Sequence, residues 1–418
     1  MARGRLFYGW WVTIAFAVMV FLSSGLRFAT GPFLKPMVAD LGTDRASFSA
    51  VVSLSLFLYG LFMPFVGRLV ERWGPRPVAV AGSLAFGLSI VGTGLVRTLW
   101  QLALVYGVVV ALALSATGHV VASAVVSRWF VRRRTTALSL LGGASMAGMS
   151  LLVPTAMWLI LRLGWRLTYV VLGLASLAIL LPLALWVVRD SPEAVGLAPD
   201  GQPAPATAGP VGAERTAIAT AVRSRPFWQL AGGMFTCGFS MSLLSGHGVP
   251  MLTDHGYHAM VASWTMAVLG ASSFACTMVL GALADRFGRR PALAWIYASR
   301  AALFAALFAV HGTSAGLLLV AALGGASMSG TLAMTSALTA DIFGRFSVGS
   351  VFGAIFLVHQ AGGALGSWLG GLLFELSGGY GLAFAVACGQ LLAGAVVSLT
   401  IDEATRCAPR LRPAPATP

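Results

Sequence analysis

Apolar runs of about 18 or more residues follow one another along almost the whole chain, separated by short polar turns. Each is long enough to cross a ~30 Å hydrocarbon core as a helix. Twelve such spans are predicted, over about 9–31, 47–67, 77–96, 99–126, 135–160, 166–188, 227–251, 259–282, 291–311, 314–339, 349–374 and 380–401. Six precede a segment rich in Pro, Ala and Gly, and six follow it. The chain thus divides into a six-helix bundle (1–188), a linker (189–226), a second six-helix bundle (227–401) and a tail (402–418). The predicted fold class is an all-α membrane protein of twelve transmembrane helices in two six-helix halves. The linker and tail lack apolar periodicity, so a partly extended linker and a disordered tail are expected.

The polar turns contain a repeat. Gly67-Arg-Leu-Val-Glu-Arg-Trp-Gly-Pro-Arg-Pro77, between spans 2 and 3, returns as Gly281-Ala-Leu-Ala-Asp-Arg-Phe-Gly-Arg-Arg-Pro291, between spans 8 and 9. Gly67/Gly281, Glu71/Asp285, Arg72/Arg286, Trp73/Phe287, Gly74/Gly288, Arg76/Arg290 and Pro77/Pro291 share one offset of 214 residues. An echo at one spacing across half the chain marks an internal duplication, so the two halves should be pseudo-symmetric.

Composition agrees with the pattern. The 418 residues are 58% hydrophobic and 10% charged, against about 25% charged in a soluble domain. Every backbone polar group within the bilayer must then be satisfied inside helices. The formal net charge of +14 raises the question of an acidic partner, and its distribution answers it. Of the 27 Lys and Arg residues, Lys35, Arg45, Arg97, Arg162 and Arg166 fall opposite the termini, and Arg27 and Arg300 fall within spans. The rest lie on the side of the termini, which the positive-inside rule makes cytoplasmic. The charge is topological, and no nucleic-acid partner is needed to explain it.

Arg3 and Arg5 precede a first run that is long and has no small-residue cleavage site after it, so it reads as a retained span. The four cysteines, Cys237, Cys276, Cys388 and Cys407, show neither disulfide nor ligand spacing, and no metal or cofactor is expected. No H-E-x-x-H, G-x-S-x-G or nucleotide loop occurs. The chain is not expected to be an enzyme, and no residue is assigned a catalytic role.

An ionisable side chain within a span is costly and marks a candidate site. Arg300 lies roughly 15 Å into span 9, counted from Arg290. No Asp or Glu occurs in a central membrane region, so a substrate carboxylate can neutralise it; helix-end carbonyls and hydroxyls are the other answer. His359 sits at similar depth in span 11 with Gln360 beside it, and can donate to an anion or carry a proton. His119 lies in span 4. Lys35, at the outer end of span 1, and Arg27, in its outer third, can both snorkel to the interface; Ser23, Ser24 and Thr30 nevertheless give Arg27 a polar face. Glycines spaced three or four apart, Gly142-Gly143 to Gly148 in span 5 and Gly362 to Gly371 in span 11, predict close helix packing.

Twelve spans in two sixes, with the duplicated turn after spans 2 and 8, resemble the major facilitator superfamily. The resemblance implies alternating access. It also implies a cytoplasmic latch between the halves, built from Glu71, Arg72 and Arg76 with Asp285, Arg286 and Arg290. Three further stretches are similar to the monocarboxylate-porter branch and its bacterial oxalate/formate relatives: Trp129-Phe-Val-Arg-Arg-Arg-Thr-Thr-Ala137, Gly31-Pro-Phe-Leu-Lys-Pro-Met37 and Pro192-Glu-Ala-Val-Gly-Leu-Ala-Pro-Asp-Gly201. In that branch the lysine matching Lys35 handles substrate and protons, and the positions near His119 face substrate.

One departure matters. The animal porters carry an Asp and an Arg in span 8 where this chain has Ser273 and Thr277, so another cation must meet an anionic substrate. The expectation is a monomeric transporter in a bacterial cytoplasmic membrane, moving a small monocarboxylate-like anion with proton symport. Its binding residues would be Arg300, His359, Gln360, His119, Lys35 and Arg27. The alternative is a proton-coupled exporter of hydrophobic compounds, which the lack of a Gly-Pro pair in span 5 disfavours.

Overall fold

A computed structural model describes residues 7–130, 134–198, 216–309, 313–328, 330–344 and 348–401. Among the described residues there are helices and turns and no strand, as hydrocarbon requires of a chain that does not close a barrel.

Ten stretches are long and apolar enough to cross a membrane. One of them, Thr136–Val187, holds spans 5 and 6, because the chain turns at Gly164. Its φ of 77° lies in the left-handed region that a side chain would disfavour. The remaining pass, Arg225–Asp254 (span 7), is less apolar than the others for a physical reason. It is rich in Gly, Ser and Thr, and most of its residues are buried against other helices instead of facing lipid.

Span 1 differs from the sequence expectation. After Tyr8–Phe28 the helix resumes as Thr30–Leu41 instead of ending near residue 31. Arg27 therefore lies roughly 29 Å from Tyr8 and ~21 Å from Leu41. This is close to the middle of the pass, too deep for easy snorkelling.

The other passes are Arg45–Trp73 (span 2), Pro75–Leu95 (span 3), Ala259–Phe287 (span 8), Arg289–Ala309 (span 9), Val348–Ser377 (span 11) and Gly381–Leu399 (span 12). Spans 4 and 10 are each interrupted. Span 4 contains a widened π turn, Ala103–Val110, and breaks at Gly118 before His119–Trp129. Span 10 passes from Ser314–Gly324 through a 3₁₀ turn, Gly325–Met328, to Thr331–Phe343, with φ 85° at Gly330.

The halves echo each other in detail. Gly74 and Gly288 both take positive φ, 85° and 92°. Arg76 Nη2 donates to the Leu185 carbonyl at the end of span 6 (2.7 Å), and Arg290 Nη1 donates to the Ile401 carbonyl beyond span 12 (2.7 Å). Span 2 packs on span 11 and span 5 on span 8, joining the halves. Ser53 Oγ donates to the Ala364 carbonyl (2.6 Å) and Ser150 Oγ to the Ala267 carbonyl (2.8 Å) across these seams.

Candidate functional site

The sequence candidates fall into three places. The first is a cavity at the centre of the interface, lined by Arg27, Thr30, Ser55, Tyr59 and Tyr106 from the first half and by Ser242, Ser245 and Gly246 of span 7. In this conformation its free volume is about 10 Å³, room for about one water molecule. Arg27 lies 5.1 Å from the Phe28 ring centroid and 5.8 Å from that of Tyr59, within cation–π range. Among the described residues no carboxylate and no hydrogen-bond acceptor pairs with its guanidinium, and the Tyr59 hydroxyl is likewise without a partner.

Thr30 sets the polarity of the opposite wall. Its hydroxyl donates to the Arg27 carbonyl (2.7 Å), so in the 3.0 Å contact with Tyr106 the tyrosine is the donor. The π turn in span 4 brings Tyr106 to this wall. The cavity thus presents one unneutralised cation, hydroxyl groups from both halves and an apolar floor.

The second place surrounds Arg300, which is fully buried. Nε and Nη2 both donate to the Ser327 carbonyl (2.8 and 2.6 Å), and Nη2 also to Thr331 Oγ1 (3.1 Å). Nη1 donates to Cys237 Sγ (3.2 Å) and Ser240 Oγ (3.4 Å). These contacts take all five guanidinium N–H groups. The break in span 10 frees the Ser327 carbonyl at the end of a short helix, where the helix dipole also favours a cation. Of the two answers left open by the sequence, carbonyls and hydroxyls are the one found. Arg300 is not part of the cavity lining.

His359 and Gln360 are buried close by, in span 11. His359 Nδ1 meets Gln360 Oε1 at 2.9 Å, and the imidazole stacks on Phe356 at 5.1 Å between centroids. His359 Nε2 and Gln360 Nε2 have no hydrogen-bond partner, and Cys237 stands near both Arg300 and His359. His119 opens the helix after the break in span 4 and lies outside the cavity lining.

The third place is the end of the bundle opposite the termini. Lys35 Nζ lies 2.6 Å from Asp254 Oδ1, and Arg45 Nη1 lies 2.6 Å from Asp254 Oδ2. Arg45 Nη1 also donates to the Tyr380 hydroxyl (2.9 Å), and its backbone N–H to Glu375 Oε1 (3.0 Å). Lys35 is thus a member of an ionic latch joining spans 1 and 2 to spans 7, 11 and 12, at a distance from the cavity. Burial alone would raise the Asp254 pKa, but hydrogen bonds and charge from Arg45 and Lys35 outweigh it and hold the carboxyl below its ordinary value.

At the other end, the turn arginines hold their own halves. Arg76 also takes Asp190 Oδ1 on its backbone N–H (2.9 Å), Arg289 pairs with Asp341, and Arg72 is exposed. The side chains of Glu71, Asp285 and Arg286 lie outside the described residues. Tyr59, Tyr106, Asp254, Arg45 and His247 were not singled out in the sequence. An ordinary tyrosine or helix-end acid has no signal there until its partner from a distant span is known.

Two pseudo-symmetric six-helix bundles around a central polar cavity define a secondary transporter fold. The profile described as Major Facilitator Superfamily matches residues 16–313 and 230–418, and the chain belongs to that superfamily. It is 26% identical over 405 residues to an uncharacterised MFS-type transporter, YcxA, of Bacillus subtilis, covering 93% of this chain and 94% of that one. It is 25% identical over 404 residues to monocarboxylate transporter 13 of Bos taurus, covering 95% and 90% of the two chains. In structure it resembles a bacterial homologue of the human lysosomal transporter Spinster, with TM-score 0.71 and 18% identity over 96% and 97% of the chains. The chain is a multi-pass membrane transporter.

Proposed function

We propose that the chain moves a small organic carboxylate across a bacterial cytoplasmic membrane by alternating access, with proton symport. The observation that carries this reading is Arg27, an unpaired cation in a cavity lined by both halves. A buried charge without a counter-ion is expensive. A substrate carboxylate would neutralise it and accept from Tyr59, while Ser55 and Ser242 would line the rest of the polar wall. Both halves supply the lining, so rocking one against the other exposes Arg27 to either side in turn.

The likeness to monocarboxylate transporter 13 supports the same substrate class. Ser273 and Thr277 leave span 8 without the branch's charged pair, and Arg27 supplies the cation instead. Arg300 is assigned a structural role and Lys35 a gating role. His359, with an open ring nitrogen beside Cys237, is the proposed proton carrier, and Gln360 holds its ring. The arginine bias supports a topology with both termini and the linker in the cytoplasm, and the proposed transporter acts as a monomer.

The test is uptake of radiolabelled small carboxylates into proteoliposomes, with and without an inward proton gradient, by wild type, Arg27→Gln and Arg300→Lys. The expected result is saturable uptake that rises with the gradient and is lost in Arg27→Gln. Arg300→Lys should keep wild-type affinity in its folded fraction. No uptake of any carboxylate by well-folded wild type overturns the reading and returns attention to export of hydrophobic compounds.

A further inference from the structure

A second compartment adjoins the Arg27 cavity. Its walls are Met146 and Met149 of span 5, Met241 of span 7, Leu269 of span 8 and Met328 of span 10, with Phe28 of span 1. In this conformation its free volume is about 10 Å³, so the methionines stand close together and must part to admit a tail, and its lining is largely apolar. The two compartments meet along one edge. Ser245 lines both, and Phe28 follows Arg27 directly in the chain.

From this adjacency we infer that the substrate is a carboxylate carrying a branched or aromatic hydrocarbon tail, with its headgroup at Arg27 and its tail among these methionines. The inference rests on the reading of Arg27 as the anion site. Four methionines from three spans converge here, and their unbranched, polarizable side chains re-form around tails of differing shape and favour aromatic edges. The far wall is firm. A Cβ on Gly270 would lie 3.0 Å from the Met146 carbonyl and 3.1 Å from Ser150 N, so the backbones of spans 5 and 8 approach closely on this side.

A two- or three-carbon acid would reach Arg27 and leave the methionine compartment unfilled. Each methylene added to the acid should tighten binding about fourfold until the compartment is full. The corresponding alcohol, lacking the charge, should bind at least tenfold more weakly than the acid.

The test is ligand-induced thermal stabilisation of the purified full-length protein. The probes are acetate, pyruvate, hexanoate, 3-phenylpropionate and the neutral 3-phenylpropanol, applied to wild type, Arg27→Gln, Met241→Gln and Met328→Gln. The expected result is affinity rising from acetate to 3-phenylpropionate, with either methionine variant weakening 3-phenylpropionate about tenfold and leaving acetate unchanged. Arg27→Gln should remove the advantage of the acid over the alcohol. If acetate and pyruvate bind as tightly as 3-phenylpropionate, and the methionine variants change nothing, the tail assignment fails while the carboxylate reading stands. If acid and alcohol bind alike and Arg27→Gln has no effect, the carboxylate reading itself fails and this inference falls with it. No stabilisation of folded protein by any of the acids overturns both.

Discussion

Arg45, in the first turn of span 2, grips Asp254, the last residue of span 7, at 2.6 Å, with Lys35 on the other carboxylate oxygen. The contact joins residues 209 positions apart in the chain and closes the end of the bundle opposite the termini. Arg45 also stacks on Phe374, 3.8 Å from its centroid, so one side chain touches spans 7, 11 and 12 from span 2. Lys35, Arg45, Asp254 and Glu375 together carry no net charge, which suits a cluster that is partly withdrawn from water.

Asp254→Asn should loosen this end. Partly exposed ion pairs contribute about 0.5–1 kcal/mol each, so loss of both should raise the open population roughly five- to thirtyfold. The measurement is labelling of an introduced Ser49→Cys by a membrane-impermeant maleimide, with and without the Asn substitution. Equal labelling rates would show that the latch does not hold this end shut.

The same carboxylate fixes a pH dependence. Its pKa is lowered in the closed form, so its stabilisation is fully present above the ordinary value of about 3.9 and is lost as pH falls through the lowered one. The labelling rate at Ser49→Cys should therefore be flat from pH 5 to 8 and rise only below about pH 4. A midpoint near 6 would assign the gate to a histidine instead.

The architecture was legible in the sequence because lipid imposes one rule, a helix of sufficient length, and the duplicated turn supplied the symmetry. What was not legible depends on where helices end or break. Span 1 continues through Pro32 and Pro36 to Leu41, which moves Arg27 from the interface to the middle of the bundle. The partner of Arg300 is a backbone carbonyl freed by the break at Gly325–Met328. Such a carbonyl has no side-chain signature. Asp254 carries no signal of its own in the sequence, because its partners come from spans that only the fold brings near.

Arg300 yields a prediction that separates packing from binding. Lysine keeps the charge but has three donors where the guanidinium uses five, and it cannot fork onto Ser327. Arg300→Lys should cost about 2 kcal/mol or more, read as a lower melting temperature, with unchanged carboxylate affinity in the monodisperse fraction. A stable variant with weakened affinity would move Arg300 into the binding site.

The contact between spans 7 and 11 depends on absent side chains. A Cβ on Gly238 would overlap the His359 carbonyl, and one on Gly362 would overlap that of Phe235. A Cβ on Gly232, in the same helix as Gly238, meets nothing within 4 Å. Gly238→Ala should destabilise by about 1–3 kcal/mol or more through overpacking, while Gly232→Ala should be neutral or slightly stabilising. Equal melting temperatures for the two variants would show that the helices separate freely at this crossing.

His247 connects the latch to the core. Its Nε2 lies 2.9 Å from the Ser367 carbonyl, which can only accept, so Nε2 carries the proton and Nδ1 accepts from the Tyr380 hydroxyl at 3.2 Å. Tyr380 in turn accepts from Arg45 (2.9 Å). The result is one directed chain, Arg45 to Tyr380 to His247 to Ser367, in which every donor has an acceptor. His247→Ala would leave the Ser367 carbonyl and the Tyr380 hydroxyl without these partners, at a cost of about 1–3 kcal/mol. It should lower the melting temperature and raise labelling at Ser49→Cys, which lies beside the ring (Ser49 Oγ to Nε2, 3.3 Å). Ligand affinity at Arg27 should not change. Wild-type labelling and stability in His247→Ala would show that the latch stands on its ion pairs alone.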